Sequence, residues 1–340
     1  MVDPGIQLQN AREMAIASLD RHLKSEYGAE RLSTIVNTRQ EQFKAGWDII
    51  LEVEHKQFEI KLLVNETFPF APPTLYFKKT DLFLKFPHVD KNGKICLTNS
   101  ATTFSPNKIV ETANFLITKA KELITDSLAG RNIDDFVQEF NNYWNLLSPF
   151  SGIKFWSLLK PLSNTRVIFY YTARYFTVFG DTEEEVKAWI KNYTGGTLPK
   201  DFTTEKTIFL WLQEPLRPTN YPQTANHILD LARKYTENAD ALLSKIVPKK
   251  FGQLPILLGF ETKTGTVMAG VEIIEPKKTK STDFKKKRNC RLDGFRAGSI
   301  SNSVLLSRYF GFTKLVPQVV ELIDAVSCLQ RGGGLRNHKL

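Results

Sequence analysis

Between Leu8 and Lys24, apolar side chains return every three or four residues. Leu8, Ala11, Ala15, Leu19 and Leu23 form one stripe, and Ile16 widens it. That spacing predicts an amphipathic helix, ended by Gly28. The pattern then changes. Leu32–Val36 reads as a short strand, Trp47–Val53 and Phe58–Val64 have β-rich composition with partial alternation, and Tyr76 and Phe77 close a third such run. Successive strands of an antiparallel meander follow from this. The prolines of Phe68-Pro69-Phe70-Ala71-Pro72-Pro73 interrupt the series. Each lacks a backbone donor, so the stretch belongs to a rigid connection outside the central strands. Helical spacing resumes near Pro106, with Ser105 as its cap and Ile109, Ala113, Ile117, Ala120 and Ile124 on one face. Residues 133–147 give a further helix with Phe136, Phe140, Tyr143, Trp144 and Leu147 inward. Helix, meander, irregular segment, helix, helix makes an α+β domain over residues 1–150.

The second half has its own pattern. Arg166–Phe179 is rich in β-branched and aromatic residues and reads as one bent strand or two. Thr182-Glu-Glu-Glu is a capping pattern opening a helix through Trp189. A strand at Thr207–Leu212 precedes a helix at Thr224–Leu243. Pro255–Phe260 and Val267–Ile273 flank a turn-forming stretch and read as a hairpin. This predicts a second α+β domain over residues 155–275. Residues 276–340 form a charged linker and a border segment, with a short helix at Ser303–Tyr309, an apolar run at Val319–Val326 and a triple glycine at 332–334. The triple glycine lacks the lysine and Ser/Thr of a P-loop and reads as a flexible tail.

Composition narrows the function. Apolar content of 42% and charged content of 24% are ordinary for a folded soluble chain. The net charge of +10 would suit nucleic acid or an acidic partner, yet much of it sits in Lys277–Lys280 and Lys285–Arg288. No helix-turn-helix, zinc finger or RNA-binding aromatic pair accompanies it, which disfavours nucleic acid. Three cysteines, Cys96, Cys290 and Cys328, are too few and too scattered for a disulfide scaffold, and no CxxC pair suggests a metal site. That usage fits a reducing cytoplasm. The start lacks the regions of a signal peptide, and no apolar run suits a membrane span.

The chemistry concentrates in Phe86-Pro-His-Val-Asp-Lys-Asn-Gly-Lys-Ile-Cys-Leu97. With Phe68–Pro73 upstream, it resembles the ubiquitin-conjugating (E2) superfamily in its divergent bacterial form. Phe68–Pro73 is similar to that family's Tyr/Phe-Pro-x-x-Pro-Pro segment, and Asn92–Leu97 to the cysteine end of its active-site run. In that register Phe86 holds the place of the family histidine and His88 that of an asparagine credited with oxyanion stabilisation or loop ordering. Further downstream, Asp134–Trp144, Gly294–Gly298 and Asp324–Leu335 resemble parts of the fused E1–E2 proteins of bacterial anti-phage (CBASS) signalling. The resemblance implies an E2 (UBC-like) domain, a linker domain, and a border that precedes a missing adenylation domain.

It also implies roles. Cys96 would be the nucleophile that receives an acyl group from an E1 adenylation domain and passes it to an amine. A thiolate is a good nucleophile and a good leaving group, so one residue serves both transfers. His88 would donate a hydrogen bond to the oxyanion or act as a base, and both roles stay open. Asp90, Lys91 and Lys94 are either solvated turn residues, or Lys91 and Lys94 meet the acyl partner's tail and Lys94 favours the Cys96 thiolate. The implied partners are the E1 domain and a CD-NTase-like signalling nucleotidyltransferase or another ubiquitin-like substrate, with no membrane. No cofactor belongs to this chain, ATP being used by the missing domain. A non-catalytic binding module of the same fold is the alternative, and a basic nucleic-acid binder a third. One consequence is open to measurement. Lacking a Gly-x-Gly nucleotide signature and a phosphate-gripping lysine motif, the chain should give no binding heat with ATP in calorimetry. A micromolar dissociation constant would overturn this.

Overall fold

A computed structural model describes residues 4–35, 42–98, 104–149, 153–160, 162–247, 253–274, 306, 309–311 and 313–323. The chain divides into two compact units, Met1–Phe136 and Val137–Leu340. Both mix helix and sheet.

In the first unit, α1 (Pro4–Tyr27) buries Ala15, Ile16, Leu19 and Leu23, the face its periodicity predicts. Gly28 ends it at φ 60°, where its N–H bonds to Lys24 O and that of Ala29 to Leu23 O. This left-handed closure suits glycine because a Cβ is disfavoured there. The sheet runs β1 (Glu30–Arg31), β2 (Phe43–Val53), β3 (Lys56–Asn65), β4 (Thr74–Phe77) and β5 (Lys94–Ile95), each strand antiparallel to the next. From Trp47 to Val53 β2 alternates strictly, with its odd positions inward. Trp47, Ile49, Leu51 and Val53 are buried. A two-residue turn, Glu54–His55, joins β2 to β3 with both residues at positive φ, the conformation that matches hairpin twist. α2 (Ile109–Leu128) lays Ala113, Leu116, Ile117, Ala120 and Ile124 into the same core. It starts three residues beyond Pro106, with Lys108 rather than Ser105 at the cap position and no side-chain cap bond. Trp47 fastens sheet to helix, its Nε1–H donating to Asp20 Oδ1 at 2.7 Å.

Where one helix is predicted over 133–147, there are two short ones, α3 (Asp135–Gln138) and α4 (Phe140–Leu147). The inward side chains serve different neighbours. Within the second unit, Phe140 meets Phe260 and Tyr221 edge-on, and Trp144 Nε1–H reaches the carbonyls of Gly270 and Gln318 at 3.2 and 3.0 Å.

That unit is a closed seven-strand barrel. Its strands are β6 (Lys154–Ser157), β7 (Arg166–Thr172), β8 (Phe176–Gly180), β9 (Glu205–Trp211), β10 (Leu254–Thr262), β11 (Gly265–Ile273) and β12 (Leu315–Leu322), in the order β10-β11-β12-β6-β8-β7-β9. Arg166–Phe179 is thus two antiparallel strands. β12 pairs with β11 and, in parallel, with β6, so the barrel takes a strand from beyond residue 275. All seven strands feed one interior cluster through Phe155, Ile168, Tyr170, Phe179, Phe209, Leu257, Met268 and the partly buried Val320. Large rings face small positions: a Cβ on Gly259 would lie 2.3 Å from the Phe209 ring, and one on Gly270 2.8 Å from Phe155.

α5 (Glu183–Tyr193) covers β7 and β8, with Thr182 Oγ1 accepting from Glu185 N as the capping pattern requires. The predicted helix at 224–243 is two, α6 (Ala225–Tyr235) and α7 (Ala239–Ile246), because Thr236 turns extended. Only Leu306 and Tyr309 of the predicted Ser303–Tyr309 helix are described, and both are helical. The charge runs, Cys290, Cys328 and the triple glycine lie outside the described residues. Among the described residues no helix is long and apolar enough to cross a membrane.

The barrel buries polar groups as well. Tyr170 O–H donates to Glu205 Oε2 at 2.6 Å, and Glu272, on the same interior face as Met268 and Gly270, is 9% exposed. Burial raises the Glu272 carboxyl above its ordinary value, and Gln318 beside it opposes the shift only in part. A carboxyl that holds its proton more tightly folded than unfolded stabilises below the unfolded value, about 4.3, and loses that contribution as pH rises through the folded one. Glu272→Gln keeps the shape and removes the titration. Chemical denaturation across pH 4–8 should show the variant gaining on the parent as pH rises; parallel curves would refute this.

Candidate active site

The site is built on the strand pair β4–β5. Leu75 faces Ile95 and Tyr76 faces Lys94 across it. Ile95 is 4% exposed and belongs to the core, so the alternation of a strand turns the next side chain outward. Cys96 is exposed. Cys96 therefore lies in an apolar run but not in the core.

His88 is brought beside Cys96 by main chain. Val89 and Ile95 form an antiparallel bridge, and Cys96 N–H donates to His88 O at 2.8 Å. Phe86 and Val89 are buried on either side, and the Phe86 ring lies near those of Phe58 and Phe77. Between these anchors the chain turns sharply, with His88 at φ 59°. That left-handed region is rare for side-chain-bearing residues, and asparagine, aspartate and histidine are the types enriched there. The His88 ring is about a quarter exposed, and its Nε2 lies 3.2 Å from Asp135 Oδ2 in the first turn of α3.

The turn between the two residues is pinned from within. Asp90 Oδ1 accepts from Asn92 N at 2.7 Å and Lys94 N at 2.9 Å, so this carboxylate shapes the loop. Gly93 follows at φ 83°, and its carbonyl accepts from Phe77 N at 2.7 Å. Lys91 is exposed, while the Lys94 ammonium lies 6.0 Å above the Tyr76 ring. Phe68–Pro73 connects β3 to β4, with Phe68 fully buried and Phe70 63% exposed.

Two other histidines have structural partners. His22 Nε2 lies 2.8 Å from Asn114 Oδ1, which also accepts from Tyr27, and His227 Nδ1 accepts from Gln223 N. Sequence reasoning passed over Asp135. It sits 47 positions from His88 in a paired-acid helix start that reads as an ordinary cap. Among the described residues no cluster of three His, Cys, Asp or Glu could hold a metal ion.

Residues 20–151 match the model of prokaryotic E2 family B. The match spans less than half of the chain and supports a bacterial E2-like domain there. No curated protein matches the chain.

The loop's dependence on Gly93 can be measured. A Cβ there would meet Phe77 O at 2.6 Å, in a backbone region that already disfavours side chains. Gly93→Ala should cost about 2 kcal/mol or more in urea unfolding. Gly93→Asn should not recover it, since asparagine tolerates the φ but not the clash. Wild-type stability in either variant would remove this account.

Proposed function

We propose that this chain acts in E2-type conjugation, with Cys96 carrying an acyl group as a thioester and passing it to an amine. The exposed thiol at the end of β5 carries this reading, and the E2-like match over residues 20–151 supports it. An exposed sulfur can meet a large acyl donor and then a large amine, whereas a core thiol meets neither. The bond from Cys96 N to His88 O keeps the imidazole's own backbone at the reacting residue. Rigid strands beneath the sulfur and a pinned turn beside it hold the geometry through two successive transfers.

The donor would be the thioester of an adenylating E1 enzyme that uses ATP, and the setting cytoplasmic anti-phage signalling, with a signalling nucleotidyltransferase as the conjugated protein. The likeness of Asp134–Trp144 and the later segments to fused E1–E2 proteins supports that context. The barrel would be the linker domain of such a protein.

The assignment of Cys96 is tested with the full chain and a glycine-ended peptide thioester of mercaptoethanesulfonate. Intact mass should rise by one acyl group, and dithiothreitol should reverse it. Cys96→Ala should abolish the adduct while unfolding at the wild-type denaturant midpoint. An undiminished adduct in that variant would sink the assignment, and so would a wild-type chain that never loads.

A further inference from the structure

Three successive residues, Lys94, Ile95 and Cys96, run antiparallel to Asp90, Val89 and His88. Lys94 O accepts from Asp90 N at 3.0 Å, Ile95 bridges Val89, and Cys96 N–H donates to His88 O at 2.8 Å. The backbone is therefore extended through Cys96, and its side chains alternate. Ile95 is locked into the core. Lys94 and Cys96 then share the opposite, outer face. The Lys94 ammonium lies on that face, over the ring of Tyr76, its partner across the sheet.

Alternate residues of a strand stand about 7 Å apart, and a lysine carries its amine on a flexible four-carbon stem. Covalent geometry alone brings that amine within reach of an acyl group on the Cys96 sulfur. The contact with Tyr76, at 6.0 Å from the ring centroid, is at the outer limit of cation–π attraction. A partly exposed lysine exchanges contacts of that kind by turning about its stem. Neighbouring lysines are placed differently. Lys91 is in the turn at the far end of the hairpin, closed by Gly93 N–H to Asp90 O. Lys78 is paired with Asp48 and Glu59 at 3.2 and 3.1 Å.

We propose that Lys94 is a modification site, taking the acyl group from Cys96 of the same chain when no other amine does. This transfer rests on the proposed thioester chemistry of Cys96. The strand that presents the thiol presents a competing acceptor with it. Amine and thioester on one strand face react unimolecularly, an advantage that an outside amine lacks.

The step balances as follows. The unprotonated Lys94 amine attacks the thioester carbonyl carbon, forming the C–N bond as the carbonyl π pair moves to oxygen. The nitrogen loses one proton to water. The oxygen pair restores the carbonyl, the C–S bond breaks, and Cys96 leaves as thiolate, which takes a proton from water. One amine and one thioester become one amide and one thiol. Acylation removes the positive charge of Lys94 and leaves a stable amide beside the freed thiol.

Two measurements test it. The full chain is loaded with the glycine-ended peptide thioester, freed of excess reagent and followed by intact mass with and without dithiothreitol. Early adduct should be reversible, and a resistant fraction should then grow at a rate independent of protein concentration. Tandem mass spectra should place it on Lys94. Lys94→Arg keeps the positive charge, and whatever adduct it carries should turn resistant about tenfold more slowly, or not at all. A resistant fraction that grows as fast in Lys94→Arg, maps to another lysine or forms faster at higher protein concentration overturns the proposal. So does a wild-type adduct that stays reversible until it hydrolyses.

The second uses o-phthalaldehyde, which joins a neighbouring thiol and amine into a fluorescent isoindole. Peptide mapping should find Cys96 linked to Lys94 in wild type, and the link should be absent from Lys94→Arg and from Cys96→Ala. A wild-type chain without it would mean that the amine does not reach the sulfur, and overturns the proposal. This readout needs no thioester. A chain that never loads therefore indicts the thioester reading, while the cross-link still decides whether Lys94 reaches Cys96.

Discussion

The hydrogen bond from Cys96 N–H to His88 O, 2.8 Å long, ties the two ends of the loop together, and the site depends on it. Its partners are eight positions apart, yet their register leaves little play. Ile95 is locked into the core opposite Leu75, Val89 is buried beside it, and the bridge between Val89 and Ile95 sets which backbone atoms meet. A slip of one residue would send Cys96 inward and Ile95 outward, because strand side chains alternate with period two. Burial of Ile95 and exposure of Cys96 are two statements of one register. The apolar neighbours that make the thiol look like a core residue are what present it to solvent.

Much of this was legible from local chemistry. Periodicity marked α1 and α2 and their inward faces, composition marked β2, β3 and the β10–β11 hairpin, and the Thr182 cap opened α5 as its pattern demands. What escaped was set by partners distant in the chain. β5 is two residues long and exists because β4 is beside it. The break at Glu139 separates residues that a single helical stripe joins on paper, since Phe140 and Trp144 are claimed by aromatic and carbonyl partners in the barrel. β12 lies beyond a long charged stretch, and no local signal says that its edge matches β6 and β11. For the site, Cys96 and His88 stood out by motif, but Asp135 could be found only by folding the chain.

Backbone conformation gives His88 a second reason to be histidine. At φ 59° most side chains are penalised, and a β-branched residue severely. The position accepts a short list of types, among them asparagine, the residue that the resemblance places there. One backbone shape thus admits two side chains whose hydrogen-bonding abilities differ, one permanently a donor and acceptor, the other able to change its proton count. A change of chemistry at this place needs no change of fold.

The closure of the barrel by β12 sets an order on synthesis. β6 is made first and finds one parallel neighbour soon after in β8, but the other, β12, arrives about 160 residues later, and until Leu315–Leu322 emerges both β6 and β11 keep one unpaired strand edge. Strand edges left open invite pairing with other chains. The first unit has no such wait, because every strand of its sheet is complete by Ile95 and its core helix by Leu128. On the ribosome the unit bearing the thiol can therefore fold early and by itself, while the barrel remains exposed to misassembly until its last strand is released.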